Sequence, residues 1–502
     1  MKAWRGVPVL VSVLVGSLGG VGCGPAFESS DERGIERVAS ARASVAAAPE
    51  EADAEVTARR ACGTDPVGPP GSKPEWLARG DGRLLFSAEA VGQGRELWSS
   101  PGRSGCAGVV KDIRPGTMGS VPRFLTPLEP WVLFVADDGQ HGPELWRTDG
   151  TEAGTVMVKD LLPGERGSAP RALTRVGDWL YFTAEDFEHG LELWRTDGTE
   201  SGTRLVHEFV PGPGSLQLVS LTAWGKRLAL VSYSPEAAVL WVVEANGQAR
   251  VLYQSAVGVL LSLTASERRL FFLRDTGMDI AELWVTSERP GSATRVRDFT
   301  GEFPSYLTAM NGSVFFLAGA DGYFGEQGDT LHGGELWRSD GTVSGTRLVR
   351  DIWPGPKGSL PSHLVVMDGV LYFAADDGWR GRELWRSDGT LLGTWMVWDL
   401  QWGPEGSEPE QLVAENGWLF FSAKTALHGR EAWSSDGWLW RTRRLTDIAP
   451  GTSSSDPRSF VRSGSEVFFL AGEAPADEAL WAVPLRPAWP CANGAASDAR
   501  GC

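Results

Sequence analysis

The chain has 502 residues, including 63 Gly, 31 Pro and 23 Trp, and its formal net charge is −17. Frequent Gly and Pro are typical of short elements joined by tight turns, which favours an all-β fold. The acidic balance, without a Lys/Arg cluster that could follow phosphates, argues against nucleic acid as a partner.

The N-terminal residues have the pattern of an export signal. Lys2 and Arg5 supply positive charges, residues 7–18 form a short apolar run, and small residues occupy positions 19–22. Cys23 follows directly. This resembles the lipobox of bacterial lipoproteins, although Gly20 stands where that pattern usually has Leu. The resemblance implies a signal peptide over residues 1–22 and a lipid attached to Cys23. A membrane-spanning helix needs about 20 apolar residues, more than this run provides.

The same region predicts where the protein is located. Gly24 lacks the Asp that is associated with retention in the inner membrane, so we expect a lipid anchor in the outer membrane or at the cell surface. Secretion or a periplasmic location is the alternative. Residues 23–72 are rich in Ala, Glu, Ser and Arg and end in a Pro-rich stretch. They are predicted to form the anchor and a flexible linker.

Four further cysteines fit an oxidising compartment. Cys62, Cys106, Cys491 and Cys502 form an even set without a C-x-x-C pair, which predicts disulfides and argues against a metal site. Three pairings are open. We favour Cys491–Cys502 together with Cys62–Cys106, because the two C-terminal cysteines close only a short loop. Residues 487–502 are predicted to be a separate cysteine-containing tail.

A tryptophan recurs along the chain at a nearly fixed interval. The successive gaps are 48, 48, 47, 43, 53, 48, 48 and 48 residues. Such a period is the signature of a repeat architecture. The tryptophans are Trp98, Trp146, Trp194, Trp241, Trp284, Trp337, Trp385, Trp433 and Trp481.

One repeat, residues 361–409, contains four short strand-like runs separated by turn signals, which matches a blade of a β-propeller. We predict nine blades over residues 73–486. Because propellers usually have about four to eight blades, the alternative is eight blades with a degenerate unit at about 205–290. The ninth unit lacks a fourth strand, so residues near 55–61 either supply it or leave it unpaired. Continuous apolar runs such as 467–470 predict strands buried on both faces between neighbouring blades.

Four repeats share an octapeptide. Residues 144–151, 192–199, 335–342 and 383–390 read ELW-x-x-DGT, and other repeats match in part. The pattern resembles the ELWxxDGT repeat family of bacterial secreted and surface proteins. That resemblance implies a propeller-like fold and supplies no catalytic residues.

Repeated His and acidic residues are candidates for a metal site. His141, His189, His332 and His428 occupy equivalent positions, one per blade, and are therefore too far apart to share a metal ion. Acidic residues at two loop positions would lie on one face of the disc, where carboxylates suit Ca²⁺. Asp also accepts hydrogen bonds from turn amides, and the spacing of calcium loops is absent from the sequence. We therefore expect turn roles and no cofactor, with Ca²⁺ as the alternative. The acidic positions are 137–138, 185–186, 376–377, and Asp112, Asp160, Asp351, Asp399 and Asp447.

The longest departure from the repeat is the loop at 319–334. It contains Tyr323, Phe324 and Asp329, which are candidates for contact with a ligand. No segment combines His, Arg, Tyr and acids as a catalytic site would. The sequence therefore predicts a non-catalytic binding or scaffold protein at the cell envelope, with a protein or glycan ligand. The alternative is a polysaccharide-active hydrolase or lyase of the envelope.

Overall fold

The structure is a computed structural model that describes residues 59–60, 72–101, 107–277, 280–300, 303–319, 332–473 and 477–486. Within these residues the chain forms nine four-stranded antiparallel sheets and one short 3-10 turn, η1 (Leu439–Arg441). The fold is all-β, and the sheets are the blades of a propeller. Both the predicted architecture and the count of nine blades are confirmed.

Each blade takes four strands in chain order, except the last. Blades 1 to 5 consist of β2 (Glu75–Arg79), β3 (Leu84–Ala90), β4 (Gly94–Ser100) and β5 (Gly108–Lys111); β6 (Arg123–Leu128), β7 (Trp131–Asp137), β8 (Pro143–Thr148) and β9 (Val156–Lys159); β10 (Arg171–Val176), β11 (Trp179–Asp186), β12 (Gly190–Thr196) and β13 (Arg204–His207); β14 (Gln217–Trp224), β15 (Arg227–Tyr233), β16 (Ala238–Val243) and β17 (Ala249–Ser255); β18 (Val259–Ser266), β19 (Arg269–Asp275), β20 (Ile280–Thr286) and β21 (Thr294–Thr300).

Blades 6 to 8 consist of β22 (Ser305–Met310), β23 (Ser313–Ala318), β24 (Glu335–Ser339) and β25 (Arg347–Arg350); β26 (Ser362–Met367), β27 (Val370–Asp376), β28 (Arg382–Ser387) and β29 (Trp395–Trp398); β30 (Glu410–Glu415), β31 (Trp418–Thr425), β32 (Gly429–Ser435) and β33 (Arg443–Arg444). Blade 9 consists of β34 (Arg458–Ser463), β35 (Glu466–Ala471), β36 (Ala479–Pro484) and β1 (Arg59–Arg60).

The first strand of every blade lies nearest the axis. First strands of successive blades lie against one another, from β2 and β6 through to β30 and β34, and β34 in turn contacts β2. The ring is therefore closed. Because the four strands alternate in direction, loops between second and third strands share one face of the disc with the connections between blades. Turns between third and fourth strands lie on the opposite face.

The ninth blade obtains its outer strand from the N-terminal side of the chain. Arg59 pairs with Ala482 and Arg60 with Trp481 in an antiparallel ladder between β1 and β36. Of the two outcomes that the sequence left open, the first is therefore found. This pairing ties the two ends of the propeller to one sheet.

The core lies between blades. The hydrophobic clusters join residues of neighbouring blades, as in the cluster of Phe86 and Trp98 with Phe468 and Leu470. In every blade the motif Trp pairs across the ladder with a fully buried apolar residue of the second strand. Six of the nine tryptophans are 7 % exposed or less, as predicted. The second-strand partners are Phe86, Phe134, Phe182, Leu230, Phe272, Phe316, Phe373, Phe421 and Phe469.

Several predicted sites fall in segments that the structure does not describe. These are the lipid attachment site, the four cysteines predicted to form disulfides and the loop candidates, namely Cys23, Cys62, Cys106, Cys491, Cys502, Tyr323, Phe324 and Asp329. Among the described residues, no helix has the length and apolar character needed to cross a membrane.

Candidate functional site

In blades 1, 2, 6 and 7 the motif Glu connects one blade to the next. Glu144 is fully buried, and its Oε1 accepts hydrogen bonds from the backbone N–H groups of Leu162 (3.3 Å) and Ser168 (2.8 Å). Its Oε2 accepts a 2.5 Å hydrogen bond from the Ser168 hydroxyl. Ser168 lies on the segment that enters blade 3, so the carboxylate fixes the course of the connection. Equivalent bonds are formed by Glu96, Glu335 and Glu383.

The Asp-Gly-Thr part of the motif is a self-contained turn. Asp149 Oδ1 accepts hydrogen bonds from the N–H (2.9 Å) and the hydroxyl (2.6 Å) of Thr151. The Thr151 hydroxyl accepts one from the N–H of Gly154, 3.0 Å away. The same bonds recur around Asp197, Asp340 and Asp388. These carboxylates therefore serve the turn.

Arginines join adjacent blades through these turns. Arg147 of blade 2 donates a 2.7 Å hydrogen bond to the carbonyl of Gly198 in blade 3, and its guanidinium lies 4.2 Å from the centre of the Trp131 ring. Similar bonds run from Arg83 to Gly150, from Arg338 to Gly389 and from Arg386 to Gly437. The Glu and Arg positions of the octapeptide thus connect neighbouring blades, while the Asp and Thr positions hold the turn.

In blades 2, 3 and 7 the acidic residues of the loop between the second and third strands also have turn roles. Asp138 accepts hydrogen bonds from the N–H of His141 and from its Nδ1 at 2.7 Å, and Asp186 does the same with His189. The bond to Asp138 raises the pKa of His141. Asp376 and Asp377 accept bonds from the loop amides that follow them. Within the described residues no group of three or more His, Cys, Asp or Glu side chains could hold a metal ion.

The axial channel carries a feature that the motif does not account for. In each first strand one residue has a positive φ, between 53° and 59°, inside a β-bulge. Left-handed backbone is uncommon for residues other than Gly and costs conformational energy. We call these nine residues the bulge ring: Trp76, Phe124, Ala172, Ser220, Ser262, Tyr306, His363, Gln411 and Ser459.

The bulge ring brings different side chains to the same level of the channel. Trp76 and Phe124 belong to neighbouring blades, yet their rings meet edge to face with centroids 4.9 Å apart. Trp76 remains 45 % exposed and Tyr306 54 % exposed, although both belong to the innermost strands. The backbone geometry repeats around the ring while the chemistry changes from aromatic to hydroxyl to imidazole. A repeated structural role would not require this variation.

One sector of the ring combines several ionisable groups, which we call the blade 6–8 cluster: Tyr306, His363, Arg382, Glu410 and Arg430. Burial lowers the pKa of His363; the charge of Glu410 opposes this, and those of Arg382 and Arg430 reinforce it. Arg382 interacts with Tyr306 and donates a 2.6 Å hydrogen bond to the Ser362 hydroxyl. Arg430 Nη2 lies 3.7 Å from the Glu410 carboxylate. Two guanidinium groups thus disfavour the charged form of this imidazole.

The sequence analysis missed this cluster because its members lie in three different repeats and share no local motif. One signal was available. In seven of the nine repeats the bulge residue lies 22 residues before the motif Trp, and there the sequence reads Trp, Phe, Ala, Ser, His, Gln and Ser in chain order. The offset differs in blades 4 and 6, so Tyr306 does not align with the others.

No protein-family model matches the chain, and no curated protein matches it. Solved structures with similarity to it include prolyl endopeptidases (13 % identity, TM-score 0.39, 62 % of this chain and 49 % of that one) and a puromycin hydrolase (13 %, 0.41, 83 % and 61 %). The β-propeller domain of the Trilobed protease from Pyrococcus furiosus is a third (13 %, 0.35, 62 % and 94 %). The chain spans about half to three fifths of the length of the first two. The likeness is one of fold.

The prediction of a non-catalytic binding or scaffold protein at the cell envelope, with a polysaccharide-active enzyme as the alternative, is wrong. Solved structures with a similar propeller include prolyl endopeptidases, puromycin hydrolases, a protease and an acylaminoacyl peptidase. The prediction failed because the repeated motif is occupied with holding blades together. Its lack of catalytic residues therefore says nothing about the channel.

Proposed function

We propose that the protein takes part in peptide hydrolysis and that its axial channel takes up the peptide. The observation that carries this proposal is the bulge ring, in which nine residues of different chemistry share one strained backbone geometry at the axis. Strained non-Gly residues persist where the surrounding structure holds them and are found at functional sites. In this proposal the axial channel selects the peptide substrate.

The channel suits an extended backbone. Each first strand is the inner edge of its sheet, so one side of its backbone has no partner strand among the described residues. Such edges present N–H and C=O groups that pair with an added peptide strand. The bulges limit each pairing to a few residues and turn a side chain toward the axis. Trp76 and Phe124 then offer apolar contact on one side, and Ser220 and Ser262 offer hydroxyl groups on another.

The blade 6–8 cluster adds polarity to this channel. Because the pKa of His363 is lowered, its imidazole is neutral near pH 7 and accepts a hydrogen bond or a proton. Arg382 and Arg430 favour a carboxylate beside it. We infer that this sector faces a carboxyl group of the peptide.

The test uses the full chain and a mixture of peptides from a digested protein, with retention and cleavage followed by mass spectrometry. Tyr306→Ser and His363→Ser together form the variant, since Ser occupies the same position in blades 4, 5 and 9 and the blade should fold. We expect the wild type to retain or cleave a subset of the peptides. Retention or cleavage of the same peptides by the variant should be at least tenfold lower. Equal results for both proteins, or no peptide selected by the wild type, would overturn the proposal.

We also propose that the protein is exported and anchored by a lipid on Cys23, as the N-terminal pattern predicts. A Cys23→Ser variant is expected to leave the membrane fraction and to lose labelling by a fatty-acid probe. Unchanged partitioning without labelling of the wild type would contradict lipidation.

A further inference from the structure

Three indole rings form an exposed cluster at the outer rim of blades 7 and 8. The rings of Trp438 and Trp440 are stacked, with centroids 5.6 Å apart and planes 13° apart. Trp395 of the neighbouring blade lies 5.9 Å from Trp438. Trp440 is 70 % exposed and Trp438 46 % exposed. We call these three residues the indole platform. It lies on the face with the turns between third and fourth strands, away from the bulge ring.

The platform is held in place from below. The guanidinium of Arg386 lies 4.9 Å from the centre of the Trp395 ring and 5.4 Å from that of Trp438, and it donates a hydrogen bond to the Gly437 carbonyl. The Thr442 hydroxyl donates a hydrogen bond to the carbonyl of Trp438. Indole rings fixed in this way lose little conformational freedom when a ligand stacks on them.

This arrangement occurs where the repeat departs from its own pattern. In blade 7 the turn reads Asp-Gly-Thr-Leu-Leu over residues 388–392, and in blade 8 it reads Asp-Gly-Trp-Leu-Trp over residues 436–440. Trp438 thus replaces the Thr that closes the turn elsewhere, and it gives up the hydroxyl bonds that Thr390 makes. A structural requirement of the fold would have kept the Thr.

The charges beside the platform are already paired. Arg441 forms a 3.0 Å ion pair with Asp436, and Arg386 is covered by the two rings. The surface therefore offers flat apolar faces and polar atoms at their edge, without a net charge to attract an anion or a cation. A pyranose ring matches these properties, because its faces carry C–H groups and its rim carries hydroxyls.

We propose that the indole platform binds a neutral saccharide, which stacks on the outer face of Trp440 beside Trp438 while its hydroxyls meet the Asp436–Arg441 pair. The site is independent of the axial channel. Leu391 and Leu392 extend the apolar surface into the neighbouring turn and are 59 % and 91 % exposed. A lipid surface is therefore the competing occupant, and the experiment includes it.

The test is an array of neutral oligosaccharides probed with the full chain, followed by titration of the best binder with tryptophan fluorescence as the readout. The variant Trp438→Thr with Trp440→Leu restores the turn of blade 7. We expect saturable binding by the wild type and at least tenfold weaker binding by the variant. Trp402→Ala, at a residue that is 79 % exposed on the opposite face, is the matched control and should bind as the wild type does.

Three outcomes would overturn the proposal: no oligosaccharide bound saturably, equal binding by the turn variant, or sedimentation with phosphatidylcholine vesicles that depends on the turn without any binding of saccharide. Trp440→Leu alone serves if the double variant does not fold, as judged by circular dichroism. The Tyr306→Ser, His363→Ser protein should keep its saccharide binding, which separates this site from the proposed function.

Discussion

The Glu144 carboxyl can carry a proton without losing its hydrogen bond to Ser168. The N–H groups of Leu162 and Ser168 reach Oε1, the N–H of Leu161 also bonds to the carboxylate, and Oε2 accepts from the Ser168 hydroxyl. A hydroxyl accepts as well as donates, so a proton on Oε2 converts that bond without losing it. Burial raises the pKa of Glu144 to about 7, although the hydrogen bonds oppose the shift. Burial also raises the pKa of Glu383 to about 7.

These carboxyls predict a stability that falls as the pH rises from about 4.5 to about 7. In that range the unfolded chain releases the proton of Glu144 while the folded chain retains it, so higher pH favours unfolding. The effect is on the order of 3 kcal/mol per carboxyl at most. Urea unfolding at pH 5 and pH 7.5 measures it. Glu144→Gln cannot titrate and its amide can donate to Ser168, so its pH dependence should be smaller. A dependence equal to that of the wild type would contradict this explanation.

The turn after the motif predicts a second effect at a single residue. A Cβ at Gly154 would lie 2.1 Å from Asp149 Oδ1, which the turn requires in its present place. Gly154→Ala should therefore destabilise the protein by roughly 1–3 kcal/mol. Gly108→Ala, where a Cβ meets nothing within 4 Å, is the matched control. Thermal unfolding compares the two, and similar midpoints would show that the turn adjusts without cost.

At the scale of residues, the roles of residues that recur in the repeats could be predicted from the sequence. The roles of residues that differ between repeats could not. The burial of the motif Trp residues and the turn roles of His141 and Asp138 follow from local patterns and were predicted correctly. The bulge ring follows from pairing between strands, because only the register of the ladder shows that Trp76 and Leu77 face a single residue, Phe86. No local pattern carries that information.

At the scale of elements, the Glu–Ser bonds recur at a fixed separation along the chain. Glu96, Glu144, Glu335 and Glu383 each bind a Ser 24 residues later, and the Trp period from each of these units to the next is 48. In blade 4 Val239 replaces the Glu, and in blade 5 Glu282 instead pairs with Arg274. The next tryptophans after these units follow at 43 and 53 residues. Blades 4 and 5 thus lack both the bond and the 48-residue spacing, whereas blade 8 keeps the spacing although Glu431 binds Thr446 and Ala449 instead of a Ser.

The contact between blades predicts that Arg and Lys are not equivalent at position 147. Arg147 reaches the carbonyl of Gly198 and stacks on Trp131 at the same time, which a Lys ammonium cannot reproduce. Arg147→Lys should destabilise the protein by about 1–2 kcal/mol. The control is Arg166→Lys, whose side chain is 75 % exposed and pairs with Glu185 at the surface. The urea midpoints of unfolding measure both effects. An equal loss of stability in the two variants would refute the role of the Arg147 hydrogen bond and its stacking on Trp131.

At the scale of the molecule, the short strand β1 predicts where a truncated protein loses stability. A chain that begins at residue 59 keeps the pairing of Arg59 and Arg60 with β36, while a chain that begins at residue 72 lacks it. The shorter chain should lose roughly 1–2 kcal/mol, and limited proteolysis should cut first in blade 9. Identical unfolding and cleavage of the two proteins would show that the ring closes without β1.

The architecture was predictable from sequence because most of the chain repeats with one period. Each repeat contains one motif Trp, so nine tryptophans predicted nine sheets. The source of the ninth blade's outer strand was left open, since β1 has only two residues and no pattern of its own. The channel was not foreseen because its lining combines one residue from each repeat. Function was misjudged for the same reason.

Because the Glu of blades 1, 2, 6 and 7 receives the start of the next blade, a copy of one of these units would fit beside its parent without new contacts. Rings of this kind can therefore grow by tandem duplication within a gene. Blade 4, in which Val239 replaces the Glu, lacks this contact, so a copy of that unit would not hold its successor in the same way.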